Sequence, residues 1–130
     1  MNPVILIPVF ISARRHAEVG QVTSTYDHTT SLSSQGELPR CLDSLRKVRG
    51  LGHIVILVAA EPSIENQAAS KARSIAEYFS DLSITVVGAP ELALIRQRME
   101  QLGVPVRNEI GLSGYGAVRN LGLLVANMLD

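Results

Sequence analysis

Three stretches of the chain are apolar at successive positions rather than at alternate ones. They are VILIPVF at 4–10, HIVILVAA at 53–60 and SITVVG at 83–88. β-Branched residues supply much of each stretch, and continuous apolar character is typical of strands buried on both faces of a parallel sheet. The pattern therefore predicts three strands of one kind.

Between and after these strands, four sets of apolar residues recur at helical spacing. Each set forms an apolar stripe along one face of a predicted helix. The stripes are Leu38, Cys41, Leu42, Leu45 and Val48; Ile64, Ala68, Ala72, Ile75, Ala76 and Phe79; Leu92, Ile95, Met99 and Leu102; and Leu121, Leu124, Val125 and Met128. Pro39 suits a first turn, so we expect the first helix to begin near Glu37 and to end at Gly50 and Gly52. Ser63 is the expected cap of the second helix, and Gly103 the end of the third.

Strands that alternate with helices predict an α/β fold, with a mostly parallel sheet in a three-layer, Rossmann-like sandwich. Two successive crossovers in one direction give the spatial strand order 3-2-1. Ligands of such sheets bind at the carboxyl ends of the strands, beside the point where the order reverses, which is next to the first strand here. The 130 residues have room for a single domain.

The segment 12–36 interrupts this alternation. It is rich in serine and threonine and follows the first strand directly. Loops of this length in compact domains are usually functional or disordered. We expect disorder or partial order, with a lid over the site as the alternative.

The composition limits which kinds of binding partner and which cellular compartment we expect. Twelve basic residues balance twelve acidic ones, so nucleic acid is not an expected partner. Cys41 is the only cysteine and lies on an apolar helix face, which favours a core position and a cytoplasmic location. No apolar stretch approaches the ~20 residues of a membrane span, and neither a signal peptide nor an anchor is predicted.

The segment GYGAVRNLG at 114–122 is the first candidate for binding chemistry. It lacks the spacing of a phosphate loop, and its glycines do not follow a predicted strand. Its backbone amides can face an anion, with Arg119 as a cation and Asn120 as a paired donor and acceptor. The alternative is a glycine-softened helix start with a solvated arginine.

Glu61, at the end of the second strand, is the second candidate. Its carboxylate can accept hydrogen bonds from a ligand at the carboxyl edge of the sheet, or it can favour the start of the following helix through its charge. The residues leave both open. His16, His28 and His53 lack the spacing of metal ligands, so no histidine metal site is predicted.

Four segments taken in order resemble the opening half of a family 2 glycosyltransferase with the GT-A fold. They are ILIPVF, ELPRCLDSLRKV, IVILVAAEPS and GYGAVRNLGLLVA. The resemblance implies binding of a nucleotide-sugar donor of the UDP or GDP type. It also implies a base pocket, a base-contacting acid and two residues near the nucleotide, which are respectively Pro8, Val9 and Phe10; Glu61; and Arg119 and Asn120.

The chain departs from that family at several positions. Ile11 stands where the family usually has asparagine, and Ala60 and Glu61 stand where it commonly has paired aspartates. A complete member would hold a divalent metal, Mg²⁺ or Mn²⁺, and a catalytic base in later segments. We identify neither in these 130 residues, because Asp130 follows a helix directly. The expectation is nucleotide binding without sugar transfer.

The strand order carries an expectation about assembly. If no strand returns beside the first one, VILIPVF becomes an apolar sheet edge with unpaired backbone groups. We then expect homo-oligomerisation, or pairing with a missing C-terminal segment. The alternative function is a noncatalytic α/β module that uses such an edge for interaction or oligomerisation.

Overall fold

The computed structural model describes residues 3–13, 29–105 and 108–129, and its elements alternate between strand and helix for most of this length. The strands are β1 (Ile5–Ser12), β2 (Thr30–Ser31), β3 (Ile54–Ala60) and β4 (Ile84–Val87). The helices are α1 (Leu38–Leu45), α2 (Glu65–Glu77), α3 (Ala89–Gln101) and α4 (Tyr115–Met128). His16, His28, Asp130 and most of the segment 12–36 lie outside the described residues, so the expectation of disorder or a lid stays a prediction.

The four strands form one parallel sheet in the order β2-β1-β3-β4. This confirms the α/β class and the relative order of the three predicted strands. β2 was not predicted, because two residues are too short to leave a hydrophobic pattern. It pairs with the last two residues of β1, Ile11 and Ser12. The edge expected along the whole first strand is therefore covered at its carboxyl end.

The sheet lies between two helical layers. Alternate residues of β3 point to opposite faces, and those of one set, Ile54, Ile56 and Val58, share a core with α1 and α2. The other set shares a core with α3 and α4, and consists of Val55, Leu57 and Ala59. The predicted three-layer sandwich is confirmed.

α4 runs antiparallel to the strands. At its first residue, the Tyr115 ring lies 5.3 Å from the ring of Phe10, near the carboxyl end of β1. Two turns later, a Cβ on Gly122 would lie 2.9 Å from a methyl carbon of Leu57 and 3.0 Å from one of Leu6. The N-terminus of α4 is thus at the carboxyl edge of the sheet, and Gly122 permits its close approach.

The helix ends differ in part from the predictions. α1 has Pro39 in its first turn as expected, but it ends at Leu45, and Val48 is exposed. Ser63 is not a cap, because 62–64 form a 3₁₀ turn and α2 begins at Glu65 with no side-chain cap. α3 ends just before Gly103, as predicted. No helix within the described residues is both long enough and apolar enough to cross a bilayer.

A cluster around Arg46 joins the end of α1 to the end of α2. Arg46 donates two hydrogen bonds of 2.9 Å to the Asp81 carboxylate and one of 3.2 Å to Asp43. It also donates to the Tyr78 carbonyl, and its guanidinium lies 4.5 Å from the centre of the Phe79 ring. The hydrogen bonds from Arg46 hold the pKa of the Asp81 carboxyl below its ordinary value.

This pKa shift predicts how the stability of an Asp81→Asn variant depends on pH. A carboxyl group whose pKa is lowered by folding stabilises the fold above its unfolded pKa of about 4, and that stabilisation is lost as the pH falls through the lower folded pKa. We expect Asp81→Asn to have a lower Tm than wild type at neutral pH, and the difference to shrink as the pH is lowered below about 4. Thermal unfolding followed by circular dichroism across this range measures it. The control is Glu100→Gln, and a Tm difference independent of pH would contradict the prediction.

A second prediction concerns Gly88, which lies between β4 and α3. A Cβ at this position would lie 2.7 Å from the Cβ of Ala69 in α2, and a methyl group cannot rotate away. We expect Gly88→Ala to destabilise the protein by about 1–3 kcal/mol, because α2 must move away from the start of α3. Urea unfolding measures the loss. Ala69→Gly in the same chain should recover part of it.

The matched control is Gly116→Ala in α4, where an added Cβ would meet no atom of a described residue within 4 Å outside its own helical turn. Its free energy of unfolding should stay within about 1 kcal/mol of wild type. Equal losses in Gly88→Ala and Gly116→Ala would show that the contact with Ala69 is not the cause.

Candidate functional site at the carboxyl edge of the sheet

β1 and β3 end side by side, and a hydrogen bond links the side chains at their ends. Ile11 pairs with Ala60, and Glu61 follows immediately. The Ser12 hydroxyl donates to one Glu61 carboxylate oxygen at 3.1 Å, and the Ala13 amide donates to the other at 3.4 Å. Glu61 makes no side-chain capping bond to the turn that follows it. The carboxylate is therefore held at the sheet edge by the end of β1, and both interpretations of Glu61 stay predictions.

An aromatic pair lies at the same edge. Phe10 and Tyr115 meet edge to face, with an angle of 82° between their rings. Tyr115 is the first residue of α4 and is 53% exposed, so part of its ring is open to solvent. Gly114, which precedes it, has φ +87°, a conformation that favours glycine. Gly114, the first glycine of the segment GYGAVRNLG, thus sets the direction in which the helix begins.

The two residues of α4 predicted to lie near the nucleotide, Arg119 and Asn120, have different surroundings. Arg119 is exposed and lies one helical turn beyond Tyr115 on the same side of the helix, and no described residue forms an ion pair with it. Asn120 donates from its amide nitrogen to the Glu109 carbonyl at 2.8 Å. Arg119 is therefore available to an anion near the helix N-terminus, whereas Asn120 holds the loop that precedes α4.

The structure separates the three residues expected in a base pocket. Phe10 contacts Tyr115 at the edge. Pro8 pairs in register with Leu57, three residues before Ile11, and is therefore roughly 10 Å behind the edge. Val9 packs with the core on the face of α1 and α2, opposite to Phe10.

We define the carboxyl-edge cluster as Phe10, Ser12, Glu61, Tyr115 and Arg119. Sequence reasoning missed Ser12 and Tyr115, although Ser12 ends the first strand and Tyr115 lies within the GYG motif. The cluster offers hydrogen-bond acceptors, an aromatic surface and a cation. No three His, Cys, Asp or Glu side chains among the described residues are grouped so as to hold a metal ion.

A short turn after β2 holds the end of β1 in place. The Leu32 amide donates to the Ser12 carbonyl at 2.7 Å. Lys71, on α2, donates to the carbonyls of Leu32 at 2.8 Å, Ser31 at 3.4 Å and Ser34. Burial lowers the pKa of the Lys71 ammonium. The ammonium group thus ties the turn, and through it Ser12, to α2.

Lys71→Met should loosen this turn without unfolding the protein. Charge-assisted hydrogen bonds contribute about 1.5–3 kcal/mol each, so we expect the Leu32 amide to exchange with deuterium at least about tenfold faster. Amide exchange followed by NMR measures this directly. Lys47→Met is the control, because Lys47 is exposed and makes no side-chain bond to a described residue. An unchanged Leu32 exchange rate in Lys71→Met would show that the lysine does not hold the turn.

Comparison of the chain with models of known protein families, with curated proteins and with solved structures found no match. The fold is an α/β sandwich around a four-strand parallel sheet. The inference of a binding site consequently depends on the geometry of the carboxyl-edge cluster.

Proposed function

We propose that the carboxyl-edge cluster binds the nucleotide of a UDP- or GDP-sugar, as in the glycosyltransferases that the sequence resembles. The observation that carries the proposal is the position of Glu61. Its exposed carboxylate is fixed by the Ser12 hydroxyl and the Ala13 amide at the ends of two adjacent central strands. The carboxyl edge is where open α/β sheets bind their ligands.

Glu61 supplies recognition of the base or the ribose. An ionised carboxylate only accepts hydrogen bonds, and each oxygen retains a free lone pair after its bond to β1. The ring N–H groups of uracil and guanine and the ribose hydroxyls are donors of the matching kind. Because Ser12 and Ala13 fix the carboxylate before the ligand arrives, little side-chain entropy is lost on binding.

Tyr115 and Arg119 supply the remaining contacts. The exposed part of the Tyr115 ring offers a surface for stacking, and the edge-to-face contact with Phe10 fixes its orientation. Arg119 places a cation one turn inside the N-terminus of α4, whose amides also favour an anion. This arrangement suits a diphosphate that extends from a base at Glu61 towards α4.

The proposal for this chain is binding of the donor. Sugar transfer requires a carboxylate base to activate the acceptor hydroxyl and a divalent metal, Mg²⁺ or Mn²⁺, to stabilise the leaving diphosphate. The carboxyl-edge cluster offers one carboxylate, which β1 already holds, and no group of metal ligands. We therefore assign it no transfer step.

Titration with UDP, GDP and uridine tests the proposal. We expect saturable binding of UDP or GDP in ligand-observed NMR or calorimetry. Glu61→Gln should weaken binding of both UDP and uridine by about tenfold, because one charge-assisted hydrogen bond contributes roughly 1.5 kcal/mol. Arg119→Met should weaken UDP by a similar factor, leave uridine unchanged, and have a smaller effect at high salt.

The matched controls carry the same chemical changes elsewhere. Glu100→Gln lies on α3 and Arg40→Met on α1, and both side chains are exposed. Neither should change the affinity. The proposal is wrong if neither nucleotide binds at millimolar concentration, or if the control variants lose as much affinity as the cluster variants.

A further inference from the structure

β4 is the outer strand at one side of the described sheet. Every residue that directs its backbone away from the sheet there has both an N–H and a C=O. The Ile54 amide donates to the Ser83 carbonyl, so Ser83 and, two residues later, Thr85 direct their backbone groups towards β3. The intervening residues Ile84 and Val86 direct theirs outwards. Each presents an N–H and a C=O that no described strand pairs.

The outward edge of β1 is different. The Ile5 amide donates to the His53 carbonyl, so Leu6, Pro8 and Phe10 direct their backbone groups away from β3. Pro8 has no N–H, and this leaves the middle of the edge without a donor. β2 already covers the carboxyl end of β1. Of these two edges, β4 is better suited to accept another strand.

A groove of about 380 Å³ runs beside the open edge of β4, between β4 and α2. Its lining is mainly apolar and includes Phe79, Ile84 and Val86. Arg73 and Glu77 also line it, four residues apart on α2. Arg73 also forms an ion pair with Glu91 of α3, whereas Glu77 has no ion-pair partner among the described residues.

α2 runs antiparallel to β4, and this direction determines where the charges of Arg73 and Glu77 lie along the strand. Ala69 lies against Gly88 just beyond the carboxyl end of β4, while the Phe79 carbonyl accepts a hydrogen bond from the Leu82 amide ahead of its amino end. Arg73 therefore lies nearer the carboxyl end of β4, and Glu77 nearer the amino end. The charge changes sign along the groove.

We propose that a second copy of this chain docks on β4 around a twofold axis normal to the sheet. That axis makes the two β4 strands antiparallel, with Ile84 opposite Val86 and about four backbone hydrogen bonds between them. It also makes the two α2 helices antiparallel. Arg73 of each copy, which also pairs with Glu91 of its own chain, then faces Glu77 of the other copy, so the surface is complementary to itself. The proposal does not depend on nucleotide binding, and it agrees with the alternative of an oligomerisation module.

Sedimentation equilibrium of the full chain over roughly 10–200 µM, together with a charge variant, tests the proposal. We expect the wild type to approach a dimer as its concentration rises. Glu77→Arg makes the facing charges all positive, and it should raise the dimer Kd by at least about tenfold. Glu65→Arg, at the start of the same helix and outside the groove, is the control and should not change the Kd.

Cross-linking locates the interface, because antiparallel pairing places Thr85 opposite Thr85 of the second copy. In a Cys41→Ala background, Thr85→Cys should give a disulfide-linked dimer on mild oxidation, and Leu6→Cys, on β1, should not. Circular dichroism checks that each variant is folded. A wild type that remains a 14.0 kDa monomer at every concentration overturns the proposal. A dimer that resists Glu77→Arg and cross-links only through Leu6→Cys also overturns it.

Discussion

Burial of β3 on both faces is the constraint on which the other elements depend. Residues 54–59 are each at most 3% exposed, and the strand is hydrogen-bonded to β1 on one side and to β4 on the other. Polarity cannot set the register of such a strand, because a slip by one residue exchanges one apolar face for another. The shapes of the side chains set it instead. Large residues of β3 face the small residues Ala68 and Ala72 on one side, and Leu57 faces Gly122 on the other.

The same packing places the carboxyl-edge cluster. The register that pairs Ile11 with Ala60 makes the two strands end together, so Ser12 can reach Glu61. Gly122 packs closely against Leu6 and Leu57, and this contact fixes the position of α4 along the strands. The first residue of the helix, Tyr115, therefore lies beside Phe10. Side chains distant from the edge thus determine which groups meet there. The glycine conformation at Gly114 is the local adjustment that this placement requires.

The sequence predicted what depends on periodicity and missed what depends on register. The apolar runs and the helical stripes identified three strands, four helices and the parallel order. β2, the 3₁₀ turn around Ser63 and the contact of Asn120 with the loop before α4 depend on tertiary packing and leave no local pattern. One feature of the predicted base pocket could have been foreseen. Adjacent residues of a strand point to opposite faces, so Val9 and Phe10 lie on different sides of the sheet.

The two surfaces with proposed roles differ in the part of the strand that they use. The carboxyl-edge cluster uses the ends of β1 and β3, where side chains and loop amides project beyond the last backbone pairs. Pairing at β4 uses backbone groups along the side of a strand, where side chains supply only the flanking contacts. Because β4 lies beyond β3, away from β1, a second copy docked there would leave the β1–β3 junction open. Pro8 disfavours the competing mode of assembly through the edge of β1, and that mode would bring a second copy close to the cluster.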